Sequence, residues 1–134
     1  MLVLQKEYAT VEVEPGLSLL KLTWLRQPTD EEFKQAFSKS LEECLEHGLR
    51  LFLSINSAGI SMDVGLQRWA SAFGADFLKR LRLERYARVI PSDAMQELIT
   101  LKMFDQVQEL RPGQIDLRTF YSPDTAFKWL TSGA

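Results

Sequence analysis

Leu51-Phe-Leu-Ser-Ile-Asn56, an apolar run, leads through a short loop to Ser61-Met62-Asp63 and then into a helical pattern. The same order recurs where Arg88-Val-Ile-Pro91 precedes Ser92-Asp93, and where Arg118-Thr-Phe-Tyr121 precedes Ser122-Pro123-Asp124. A serine oxygen can accept from the free N–H groups of a first helical turn, worth about 1 kcal/mol. An early aspartate complements the positive end of the helix dipole. The pattern predicts strand, cap and helix three times over, with the serines as caps. Such alternation builds a parallel sheet covered by helices.

Toward the N-terminus, Ala9 to Glu14 alternates apolar and polar residues, Pro15-Gly16 offers a tight reversal, and Leu17 to Trp24 resumes as a strand. Proline presets φ at the first central turn position and glycine tolerates positive φ at the second. An antiparallel hairpin is expected. Thr29 and Glu32 have the form of a capping box, and Phe33, Ala36, Phe37, Leu41, Cys44 and Leu45 then recur at helical spacing up to His47-Gly48. Leu51 to Ile55 has the near-continuous apolar character of a central strand, whereas Ile115 to Tyr121 alternates like an edge strand.

Further helices are expected over Asp63 to Leu81, Asp93 to Leu110 and Pro123 to Leu130, with a strand over Tyr86 to Ile90. In the second of these helices the main apolar stripe is Met95, Leu98, Ile99, Met103, Val107 and Leu110. Leu101 and Phe104 fall off it, which predicts a second apolar face available for self-association as a homodimer. The last helix is expected to bury Phe127 and Leu130, and Thr131 to Ala134 to fray. The predicted architecture is α/β, ββαβαβαβα, a single domain over residues 1–134. Its central sheet is mostly parallel with an antiparallel N-terminal strand, and helices lie on both faces.

A chain of 134 residues, 46% hydrophobic and 25% charged, is sized and composed for one packed core. Formal net charge is −2, so there is no general attraction to nucleic acid or anionic membrane. Neither a leader nor an apolar stretch long enough to span a bilayer is visible, and a cytoplasmic protein without membrane insertion is expected. The basic segment Lys79 to Arg88 is read as a solvated helix end rather than a nucleic-acid contact. Cys44, the single cysteine, lies on an apolar stripe and reads as a core thiol.

His47 is the only histidine, and its place before Gly48 suits a helix end rather than a catalytic pair with serine or cysteine. One Cys and one His cannot form a four-ligand structural zinc site. Asp63, Asp93 and Asp124 are each explained as first-turn residues rather than as magnesium ligands. Neither common phosphate-cradling glycine motif occurs. No cofactor is expected and no enzymatic activity is read.

The order of elements, the two-strand start, the Leu51 to Asn56 strand and the segment Ile60-Ser-Met-Asp-Val-Gly-Leu66 resemble the STAS family. The closing stretch Asp116 to Leu130 is similar to the ends of bacterial STAS-like proteins of unassigned role. These domains, the anti-sigma factor antagonists of sporulation among them, are usually small non-enzymatic switch modules. In the switch branch an aspartate is followed by a phosphorylatable serine or threonine and then glycine. Here Asp63 and Gly65 match, but Val64 stands between them. The resemblance implies a regulatory protein-interaction module without that phosphorylation, with Ser57 and Ser61 as neighbouring substitutes.

The expected recognition surface for a protein partner is Asn56, Ser57, Ser61 and Asp63 with Ser92 and Asp93, all at strand-to-helix junctions. An alternative is a binding protein for a small apolar or lipid-like ligand, suggested by 8 phenylalanines and 3 tryptophans.

Overall fold

The computed structural model describes residues 1–132. Six strands form one sheet: β1 (Leu2–Gln5), β2 (Ala9–Glu14), β3 (Leu19–Trp24), β4 (Leu51–Ile55), β5 (Arg85–Val89) and β6 (Asp116–Phe120). Four helices accompany them: α1 (Asp30–His47), α2 (Val64–Leu78), α3 (Ala94–Leu110) and α4 (Pro123–Thr131). The expected α/β order is present, with one addition. Met1-Leu-Val-Leu-Gln had been assigned no element, and its β1 is a short edge strand antiparallel to β2.

Strand order in the sheet is β1-β2-β3-β4-β5-β6, the order of the chain. Only β2 runs against the other five, since β1 and β3 both pair with it antiparallel and β3 to β6 are parallel. Right-handed crossovers between strands that advance in one direction must place every connecting helix on the same face. Thus α1, α2 and α3 share a core with Val11, Val13, Leu20, Leu22, Trp24 and Phe52. The short α4 follows the last strand and covers the other face alone. It packs Ala126 and Leu130 on Leu19, Leu51, Leu53, Ile55, Ala87 and Val89.

The strongest local expectation holds. Thr29 Oγ1 accepts from Glu32 N and Glu32 Oε1 accepts from Thr29 N, a complete capping box, and Gly48 closes α1 at φ +60° with its N–H on Cys44 O. Beyond it the helix faces differ in detail. Leu45 and Phe127 are exposed, each 39%, while Ala126 and Leu130 do the burying in α4. The hairpin between β2 and β3 turns through one 3-10 turn, Pro15–Leu17, and the left-handed residue is Ser18 at φ 54°, not Gly16. Ser18 accepts that conformation while its oxygen takes the N–H of Arg50, tying the hairpin to the start of β4. Gly133 and Ala134, half of the segment expected to fray, lie outside the described residues.

The α2 helix ends at Leu78, three residues before the expected Leu81. The basic run beyond it is not one solvated end. Lys79 pairs with Asp76 and Arg80 lies over the Phe77 ring, but Arg85 and Arg88 are strand residues and Arg88 is buried. Cys44 is wholly buried in the main core, and burial pushes its thiol pKa up.

Candidate functional site

The carboxyl ends of the parallel strands present the strand-to-helix loops, and the residues expected to form a recognition surface gather there with unequal roles. Asn56 is not on the surface. It is fully buried, its Nδ2 donates to Gln96 Oε1 (3.1 Å) and its Oδ1 accepts from Ile60 N (2.9 Å). Gln96 Nε2 in turn donates to Ile60 O (2.9 Å), which closes a ring of bonds between the loop and α3. Gly59, at φ +70°, lets the same loop pass so close to Pro91 that a Cβ would stand 3.2 Å from its Cγ.

Aspartates, not the serines expected, provide the side-chain caps. Asp63 Oδ1 accepts from Leu66 N (2.7 Å), and Asp93 Oδ1 from Met95 N (2.8 Å) and Gln96 N (3.1 Å). Ser122 occupies the cap position of α4 without a side-chain bond. A carboxylate accepts two amides and also complements the dipole, so it displaces the neutral serine beside it. Ser57, Ser61 and Ser92 are exposed. The backbone of Ser61 is held on both sides by the Gln27 amide, at 2.7 and 3.0 Å. Asp124 belongs to α4 and lies against the opposite face of the sheet, beside Leu53 and Ile55, so it does not converge with Asp63 and Asp93.

His47 stands at the other end of the sheet, ahead of β4, with Nε2 3.1 Å from Glu43. The buried Glu43 is shared with Lys39 at 3.0 Å. Among the described residues, Glu43, Glu46 and His47 are the group of acids and histidine whose ligand atoms approach within 4.8 Å. Glu43 already has two partners there.

A buried polar line under α3 has no counterpart in the sequence reading. Ser54 and Arg88 are register partners on β4 and β5, both under 4% exposed, and Tyr86 lies on the same face one pleat away. Arg88 Nε donates to Thr100 Oγ1 at 3.0 Å. Burial pushes the Arg88 guanidinium pKa down, and pushes that of the neighbouring Tyr86 hydroxyl up against the opposing pull of Arg88 and Ser54. Ser54 Oγ and Arg88 Nη2 have no hydrogen-bond partner among the described residues.

Thus α3 turns Gln96, Ile99 and Thr100 inward, to meet this polar strand surface. The expected stripe is rotated accordingly. Met95 (62%), Leu98 (45%) and Leu101 (57%) face outward with Leu110. Phe104 does not join Leu101 on an outer face, because it is half-buried and meets Tyr86 edge-on at 6.0 Å.

Tyr86 and Phe104 also wall an almost wholly apolar cavity of about 60 Å³ between α2, α3 and the sheet, shared with Phe37, Leu41, Met103 and Val107. The other aromatic rings mostly pack on one another. Trp24, Phe33 and Phe37 stack in sequence, and Phe37 meets Trp69 and Phe73.

No family model matches the chain, and no curated protein or solved structure matches it. Among the described residues, no helix is long and apolar enough to cross a membrane.

Proposed function

We propose that this protein is a non-enzymatic regulatory module that recognises another protein through the helix starts at the carboxyl edge of the sheet and the outer face of α3. One observation carries the proposal. A helix that buries Gln96 and Thr100 while leaving Met95, Leu98 and Leu101 in solvent reverses the placement that core formation favours. Residues three apart on a helix are neighbours, so these three make one continuous apolar strip. Val64, 57% exposed at the start of α2, borders the same region across a groove that it shares with Lys102 and Asp105. Exposed apolar strips of this kind mark interaction surfaces.

The resemblance to STAS switch modules supports the same proposal. In that comparison Val64 occupies the position of the phosphorylatable residue, so recognition here is not gated by phosphate at that point. Affinity capture with the native chain and with a Leu98→Glu/Leu101→Glu variant tests it. Surface substitutions of this type change stability by about 0.5 kcal/mol or less. Reproducible protein partners are expected to be lost from a variant whose melting temperature is unchanged, and an identical partner set would remove this surface.

A second proposal, binding of a small apolar ligand, is favoured by the cavity beside Tyr86 and Phe104.

A further inference from the structure

We propose that Arg88, with Ser54 and Tyr86, is the anion subsite for a monocarboxylate whose short apolar tail occupies the cavity walled by Tyr86 and Phe104. The inference deepens the small-ligand proposal and is independent of the outer face of α3.

Four observations converge on it. Arg88 is only 3% exposed, and the ion pairs of the described residues are all made by other groups. A buried charge without a counter-charge is among the costliest arrangements in a fold. One edge of the guanidinium is used, with Nε on Thr100, but Nη2 is free, and so is the hydroxyl of Ser54 on the adjacent strand. An arginine edge and a hydroxyl are the donor set for a planar carboxylate. Finally, Tyr86 belongs to both places: its ring walls the cavity, and its hydroxyl stands beside Arg88 and Ser54.

The chemistry of the walls sets the ligand class. One guanidinium balances one negative charge, so a monoanion is favoured over phosphate. The apolar cavity excludes a polar tail. At about 60 Å³ it holds roughly four water-sized groups, which limits the tail to about three to five carbons.

Calorimetric titration of the intact chain with formate, butyrate and hexanoate at constant ionic strength tests the proposal. A saturable one-to-one heat is expected for butyrate, with affinity at least about tenfold above formate, since each buried methylene adds to binding. At ten times Kd the melting temperature should rise by roughly 4 °C. Arg88→Met should fold, because an apolar replacement relieves the buried charge, and should lose the response. Phe104→Trp, which crowds the cavity but leaves Arg88 in place, should reduce butyrate to the level of formate. Absence of a saturable heat in the native chain overturns the proposal. So does an Arg88→Met affinity within twofold of native, or equal affinities for formate and butyrate. If Arg88→Met fails to fold, the chain-length series and Phe104→Trp decide alone.

Discussion

At the scale of single residues, the loop after β4 is held by Asn56 more than by any residue on its surface. Replacing Asn56 with alanine leaves the Ile60 N–H and the Gln96 carboxamide oxygen without their buried partner. An orphaned buried group costs about 1–3 kcal/mol. Asn56→Ala is expected to lower unfolding free energy by about 2–4 kcal/mol in urea denaturation, whereas Ser57→Ala in the same loop should change it by about 0.5 kcal/mol or less. Glu32 gives a prediction with a pH sign. Its carboxyl pKa is held below the usual 4.5 first by the Arg26 guanidinium and next by the backbone N–H of Thr29. A carboxylate whose pKa is lower folded than unfolded contributes stability that is complete above its unfolded value and is lost as pH falls through its folded value. Chain stability followed from pH 6 to pH 2 should therefore decline less steeply in Glu32→Gln than in the native protein. Parallel curves would show that the capping box carries no proton linkage.

Among the elements, the two best-defined by sequence were those whose signals were local. The capping box, apolar spacing and terminal glycine of α1 lie within that helix, and the five buried residues of β4 read directly as a central strand. What escaped depended on partners elsewhere. The orientation of α3 is set by Ser54 and Arg88 on the strands below it, so its apolar residues alone gave the wrong face. One signal was present: Arg88 follows Tyr86 at the spacing that shares a strand face, inside an otherwise apolar run. In the strand-to-helix loops, serine beside aspartate left two candidate caps, and only the geometry distinguishes them. The short α4 illustrates the same dependence. Leu130 is 1% exposed and Phe127 39%, though both are apolar and three apart. Leu130→Ala should cost about 2–5 kcal/mol and Phe127→Ala less than about 1 kcal/mol by chemical denaturation. Equal costs would mean that α4 packs through a different face.

For the whole molecule, the monotonic strand order decides where chemistry can sit. Open α/β sheets bind ligands in the crevice where strand order reverses direction. This sheet has no reversal among its parallel strands, and its carboxyl-edge loops are closed over by Asn56, Gln96 and Gln27. That is why the acids and serines legible in the sequence become supports, while the polar atoms left without partners lie beneath α3. The STAS resemblance anticipated a small mixed sheet with helices on both faces, but the three-to-one division of helices follows from strand order, which periodicity does not report.

The strand order has one more consequence. Each strand is laid against the one synthesised just before it, so none must be inserted between two that are already paired. A nascent chain leaving the ribosome can extend the sheet at its growing margin, with local loop closures in place of long-range ones. Until α4 emerges, however, the lower surface of that growing sheet remains bare, and the final nine-residue helix is what ends its exposure to other nascent chains.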